Sequence, residues 1–258
     1  MPHPEEVRVF KADKLQARVY ATRDAMGAAA ADAVVHRIEQ LLAEKEQVRI
    51  VFAAAVSQNE FLAHLRQAEG VEWDRIEAFH MDEYVGLPDD ASQRFGNFLK
   101  EHLFDRVQPG HVEYIDGTAP DLKAECARYA ALLAERPLDI VCAGIGENGH
   151  MAFNDPHVAN FHDPEMVKVV ALDRTCRMQQ VHDGAFAALD QVPTHALTLT
   201  MPALMSARWI YCMVPGATKR EAVRETIKGP ISTACPATAM RRHDHAILYL
   251  DAEAARDV

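Results

Sequence analysis

The sequence predicts an α/β fold: a three-layer, doubly wound, mostly parallel sheet with helices on both faces. Two observations carry this expectation. Short β-branched or aromatic runs alternate with longer amphipathic stretches from end to end, the order that a parallel sheet with crossover helices requires. Turn residues separate these runs at short intervals, with no repeat, low-complexity tract or linker between them. Of the 258 residues, 49% are apolar, enough to bury a full core, and residues 1–258 are read as a single domain.

Strands are expected at residues 7–10, 48–53, 76–81, 138–144, 167–172, 196–200, 209–214 and 246–250. Helices are expected at residues 22–44, 58–67, 93–104, 121–135, 174–187 and 219–227, with a last one at 252–258. In the first helix, Ala30, Val34, Ile38, Leu41 and Leu42 recur at three- and four-residue steps, so one face is apolar. Gly86-Leu-Pro-Asp-Asp90, Pro109-Gly110, Asp116-Gly117 and Lys228-Gly-Pro230 supply turns that fit crossovers within a single, Rossmann-like sheet. In such a sheet ligands sit where the carboxyl ends of strands meet loops.

The formal net charge of −11 provides no field to hold a polyanion, which argues against nucleic acid as a partner. Cys126, Cys142, Cys176, Cys212 and Cys235 lack paired spacing and read as reduced thiols of a cytoplasmic protein. The start, Met-Pro-His-Pro-Glu-Glu, has neither a basic nor an apolar leader region, and no apolar run is long enough to span a bilayer. Neither export nor a membrane partner is expected.

Three strand ends carry chemistry. In Phe79-His-Met-Asp-Glu-Tyr-Val-Gly-Leu87, a strand pattern closes on Asp82 and Glu83, and a partly desolvated carboxylate there suits proton removal beside a carbonyl. The competing reading is a turn cap or an arginine partner, the common fate of such residues. In Ala143-Gly-Ile-Gly-Glu-Asn-Gly-His-Met-Ala-Phe-Asn-Asp-Pro156, glycines 144, 146 and 149 allow close backbone approach. His150 can give and take a proton there, with Asn148 and Asp155 in reach to orient its ring. The same glycine spacing occurs in dinucleotide sites, but that turn opens a helix and this one runs into Asn-Asp-Pro. Third, Ser57-Gln58 opens a helix whose N–H groups face an anion, while Arg177 and Lys219 follow other strands as candidate phosphate-binding cations. Against this stand an ordinary N-cap and solvated helix-face charges. His150, His157, His162, His243 and His245 lack the spacing of a metal site, so no metal is expected. A serine hydrolase is disfavoured because no Gly-x-Ser-x-Gly is present.

In this order, the segments resemble the glucosamine-6-phosphate deaminase family, part of a larger group with the 6-phosphogluconolactonases. Met81-Asp-Glu-Tyr-Val-Gly-Leu87 and Gly146-x-Asn-Gly-His150-x-Ala-Phe-Asn154 look like its two signature segments. Residues 119–129 are similar to its linking helix and residues 191–198 to a later strand entry. The resemblance implies that Asp82 moves a proton between C1 and C2 of an opened sugar, that His150 assists ring opening, and that Asn148 and Asp155 are its partners. It further implies phosphate binding by Arg177, Lys219 and the helix start at Ser57 and Gln58, no cofactor, and a homo-oligomer. Two departures stand out. The family's glycine- and threonine-rich phosphate loop is Ala53-Ala-Ala-Val-Ser-Gln-Asn-Glu60 here, and Asp155 stands where glutamate is common. The leading expectation is a deaminating aldose-ketose isomerase acting on an amino-sugar 6-phosphate. The alternatives are a lactonase, against which the Asp-Glu-Tyr segment argues, and a non-catalytic sugar-phosphate sensor.

Overall fold

The computed structural model describes residues 6–258. Among the described residues, eleven strands form two sheets. The large sheet contains β1 (Glu6–Ala12), β2 (Leu15–Tyr20), β3 (Val48–Phe52), β4 (Ile76–His80), β6 (His111–Glu113), β7 (Ile140–Ala143), β10 (Trp209–Val214) and β11 (Ala246–Asp251). Their spatial order is β1-β2-β11-β10-β7-β3-β4-β6. Only the β1 and β2 hairpin is antiparallel; every other neighbouring pair in this sheet is parallel. The mostly parallel doubly wound sheet is therefore present.

The expectation of a single sheet is not met. β5 (Asp82–Tyr84), β8 (Val167–Ala171) and β9 (His195–Leu199) form a separate antiparallel sheet in the order β5-β9-β8. The chain leaves β4, passes through Met81 and enters β5 at once, so Asp82 opens the small sheet. β2, β5 and β6 are strands that the hydropathy pattern did not single out.

The helices are α1 (Arg23–Leu42), α2 (Asn59–Leu65), α3 (Phe95–Leu99), α4 (Asp105–Val107), α5 (Leu122–Ala134), α6 (Arg174–His182), α7 (Met201–Met205) and α8 (Arg220–Lys228). A π-helical turn, Lys100–Phe104, joins α3 to α4. α1 starts where Thr22 accepts a hydrogen bond from the Ala25 N–H, and its apolar stripe is buried as the periodicity requires. Each of its fully buried Val, Ile and Leu side chains contributes about 1.5–3 kcal/mol. α6 stops before Gly184, whose φ of 78° ends the helix earlier than residue 187. Residues 252–258 form turns rather than the expected helix, with Asp251 receiving the Ala254 N–H. No helix among the described residues is long and apolar enough to cross a membrane.

β3 lies inside the sheet and is buried on both faces. Val48, Ile50 and Phe52 pack in the core beneath α1 and α2, and Val51 packs in the opposite core with Tyr129 and Leu133 of α5. Arg49 shares the strand because its guanidinium meets Glu77 on β4 and the Leu132 and Leu133 carbonyls. The parallel registers pair Phe52 with His80 and with Cys142. The carboxyl ends of β3, β4 and β7 are therefore level, and the loops leaving them converge.

Candidate active site

These loops enclose a cleft of about 470 Å³, open mouth included. The loop after β3 contributes Ala53 to Ala55, Ser57 and Gln58. The loop after β7 contributes Gly144, Gly146 and His150, α6 contributes Gln179 and Gln180, and the start of β5 contributes Asp82.

Asp82 and Glu83 separate as alternation along a strand demands. Glu83 is buried and accepts the backbone N–H groups of Tyr84, Phe95 and Gly96, which fixes the start of α3. The Asp82 carboxylate has no hydrogen-bond partner among the described residues, although the side chain is nearly buried. Burial, followed by the charge of Glu83, pushes its carboxyl well above the usual carboxylate range. A carboxylate in that state is a stronger base than an ordinary aspartate. His80 fastens the backbone behind it. Its Nδ1 lies 2.8 Å from the Asp82 carbonyl and its Nε2 accepts the Ile115 N–H at 2.9 Å, so the neutral ring with hydrogen on Nδ1 satisfies both contacts.

His150 sits on a turn, and no helix follows the glycines, as its sequence predicted. Its Nδ1 lies 2.6 Å from Asn148 Oδ1 and 3.1 Å from Asp155 Oδ1. Asn148 Nδ2 donates to Asp155 at 2.9 Å and to Asp173 at 3.1 Å, and the Asp173 N–H donates to the second oxygen of Asp155. Burial alone would raise the Asp155 carboxyl, but the hydrogen bonds and charge of His150, with Asn148 and the Asp173 N–H, hold it below the usual range. Asp155 therefore remains ionised behind the imidazole. The His150 Nε2 has no partner among the described residues and is the ring's free proton-transfer atom. Gly146 makes room for this ring: a Cβ there would lie 2.0 Å from the imidazole. Ala152, two residues on, holds φ at 48°, an uncommon value for a residue with a Cβ, and lines the same cleft.

The other expected residues divide. Ser57 and Gln58 line the cleft, but Ser57 caps nothing and instead accepts a hydrogen bond from Gln58 Nε2. Glu60 receives Arg23 at 2.9 Å and 3.1 Å and does not line the cleft. Lys219 is buried beside Asp183 and Glu147, and its ammonium has no hydrogen-bond or ion-pair partner among the described residues. Burial lowers its pKa while those two carboxylates support its charge. Arg177 does not line the cleft: its Nη2 donates to the carbonyls of Leu189 and Val192 while its buried Nε has no partner among the described residues, and the cleft-lining residues of α6 are Gln179 and Gln180.

Sequence reasoning missed those glutamines and Asp173, which closes the network behind His150. For a metal, His150, Asp155 and Cys176 bring donor atoms within 4.8 Å of one another, as do Asp155, His157 and Asp173. Both groups depend on Asp155, whose oxygens already receive Asn148 and Asp173, and burial raises the Cys176 thiol well above its usual value. These donors are better matched to an orienting network for His150 than to a cation.

The glucosamine-6-phosphate isomerase/6-phosphogluconolactonase family model matches residues 21–249. The chain belongs to this family. Its curated relatives include glucosamine-6-phosphate deaminases of Bacillus thuringiensis (strain Al Hakam) and Bacillus cereus (strain AH820). Each is 35% identical over 224 residues, covering 87% of this chain and 83% of the relative. Among solved structures, a monomeric glucosamine-6-phosphate deaminase superposes with a TM-score of 0.86 at 28% identity, covering 94% of this chain and 99% of that one. The 6-phosphogluconolactonase of Thermotoga maritima superposes with a TM-score of 0.74 at 22% identity, covering 91% and 99%, a likeness of fold alone. The chain is thus an enzyme of the isomerase and deaminase type, with the lactonases as the neighbouring chemistry.

Proposed function

We propose that this chain, acting as one domain in the cytoplasm, is a deaminating aldose-ketose isomerase. Its substrate is a 2-amino-2-deoxyhexose 6-phosphate, glucosamine 6-phosphate or a close relative, and its products are a ketose 6-phosphate and ammonia. The observation that carries the reading is the pairing, in one cleft, of an unpartnered buried carboxylate, Asp82, with an imidazole whose Nε2 is free and whose Nδ1 is held by Asn148 and Asp155.

His150 Nε2 takes the proton of the anomeric hydroxyl and returns it to the ring oxygen, which opens the sugar. Asp82 then removes the proton from C2, so that the electron pair of that C–H bond forms the C1–C2 double bond of an enolamine while the aldehyde oxygen takes a proton from the substrate's own ammonium group. The same carboxyl delivers its proton to C1, leaving an iminium at C2. Water adds there and ammonia departs, giving the ketose. The substrate's own carbonyl accepts the electrons, so no cofactor is needed. In this reading Ser57 and Gln58, which line the same cleft, are contacts to the sugar phosphate, and Lys219 is a cation that supports its charge.

The test is release of ammonia and ketose from a panel of amino sugars and their phosphates, with a sugar-phosphate lactone as a further arm. Equal yields of ammonia and ketose, abolished by Asp82→Asn, are expected. Lactone hydrolysis without ammonia, or ammonia release unaffected by Asp82→Asn, would overturn the proposal.

A further inference from the structure

Asp173 does not line the cleft, yet it is bonded to everything that holds the imidazole there. Its Oδ1 accepts the Cys176 N–H at 2.6 Å and caps α6. Its Oδ2 accepts Asn148 Nδ2 at 3.1 Å, and its own N–H donates to Asp155 Oδ2 at 3.1 Å. One partly buried residue therefore joins the start of a helix to both side chains that meet His150 Nδ1.

The consequence lies in the amide of Asn148, whose orientation decides which nitrogen of His150 carries the hydrogen. With Nδ2 toward Asp155, at 2.9 Å, and toward Asp173, both amide hydrogens meet carboxylate oxygens. The amide oxygen is left to face His150 Nδ1 at 2.6 Å and the His150 backbone N–H at 3.1 Å. That oxygen only accepts, so the neutral ring holds its hydrogen on Nδ1 and its lone pair on Nε2. A flipped amide reverses this. Its oxygen would stand against two carboxylates, and its nitrogen would need the lone pair of Nδ1, which moves the ring hydrogen to Nε2. Nε2 is then a donor and cannot take the proton of the anomeric hydroxyl. Asp155 opposes the flip with one oxygen, and Asp173 supplies the second.

We infer that Asp173 is a positioning residue for proton transfer: it clamps the Asn148 amide and so fixes the tautomer in which His150 Nε2 is a base. The inference deepens the isomerase reading above and rests on it for the role of Nε2. Capping α6 is the duty of the other carboxylate oxygen, so the two tasks can be taken apart. Asp173→Asn and Asp173→Ser each leave a side-chain oxygen for the Cys176 N–H, because Asn and Ser cap helices about as well as Asp. In the first, an amide nitrogen faces Asn148 Nδ2, donor against donor. In the second, the shorter side chain leaves Asn148 Nδ2 without that partner.

The experiment records the ring-nitrogen chemical shifts of His150, assigned by their loss in His150→Gln, at a pH where the ring is uncharged. Ammonia release from glucosamine 6-phosphate and the midpoint of thermal unfolding are measured on the same chains. In the unaltered chain the hydrogen is expected on Nδ1. In both variants a large share of the rings is expected to carry it on Nε2, with kcat lower by at least about tenfold and KM within about twofold. Their unfolding midpoints are expected to stay within about 2 °C, whereas Asp173→Ala, which also loses the cap, lowers the midpoint by about 2–4 °C. Hydrogen on Nε2 in the unaltered chain, or an unmoved tautomer in both variants, overturns the inference whatever happens to kcat. A moved tautomer with undiminished ammonia release sustains the hold of Asp173 on the ring and removes Nε2 as the base. Absence of ammonia release from the unaltered chain removes the proposed reaction, while the shifts still decide whether Asp173 sets the tautomer.

Discussion

Two pairs of like residues meet opposite fates at the ends of neighbouring strands. Glu83 and His80 are fully spent on the protein: three backbone N–H groups hold the carboxylate, and both ring nitrogens of the histidine are used by backbone atoms. Asp82 and His150 are each left with an atom that nothing in the described protein satisfies, and both lie in one cleft. Residue type is therefore a poor guide to role at these positions. What separates an anchor from a reactive group is how much of its hydrogen-bonding capacity the fold has already consumed.

The sharpest way to break this contrast is to neutralise the two adjacent carboxylates separately. Asp82→Asn is expected to lower kcat by about a thousandfold, within the range for loss of a general base, without lowering the midpoint of thermal unfolding. Glu83→Gln is expected to do the reverse. It costs about 2 kcal/mol of stability through weakened charge-assisted hydrogen bonds, while folded molecules keep turning over. Ammonia release and urea denaturation on both variants measure this, and equal activity losses would erase the distinction.

The histidines give the next effect. Burial lowers the His80 pKa to about 4, against 6.5 for an ordinary histidine, outweighing its hydrogen bond to the Asp82 carbonyl. Between those values the unfolded chain binds the proton and the folded chain does not. Stability is therefore fully present above pH 6.5 and is lost as pH falls toward and through 4, by about 3 kcal/mol in all. Unfolding free energies collected from pH 7 to pH 4 should show this slope, and His80→Gln should flatten it. A slope unchanged in the variant would assign acid sensitivity elsewhere. Smaller again is Gly146→Ala. Its methyl group displaces the His150 ring, and turnover is expected to fall by about a hundredfold with modest change in stability. Retained turnover would show that the ring does not need its present position.

The layered sheet was legible because buried central strands such as β3 and the stripe on α1 announce themselves by hydropathy alone. Membership of the second sheet was not. β8 and β9 read identically in either sheet, and β5 is a three-residue strand of Asp, Glu and Tyr whose partner, β9, begins at His195. Pairing across more than a hundred residues leaves no local trace. Within the cleft, the glycine turn and the carboxylate after β4 marked Asp82 and His150, together with Asn148 and Asp155. Gln179 and Gln180 carry no such mark, because a glutamine on a helix is ordinary until its rotation is known. The same unknown rotation hides from the sequence that Arg177 stands outside the cleft lining, with its Nη2 on the carbonyls of Leu189 and Val192.

Asp82 belongs to the small sheet, while His150 hangs from β7 of the large one. Thr198 Oγ1 on β9 accepts the Phe153 N–H at 3.0 Å, and Asn154 Nδ2 donates to the Leu199 carbonyl at 2.8 Å. These two stitches fasten the turn bearing the imidazole to the sheet bearing the carboxylate. The enzyme's alignment is thus an inter-sheet distance, and a slip of about an ångström between sheets that each remain intact is enough to silence it. Turnover then becomes a gauge of how the two sheets are joined, and on heating it is expected to fall before circular dichroism records any loss of secondary structure.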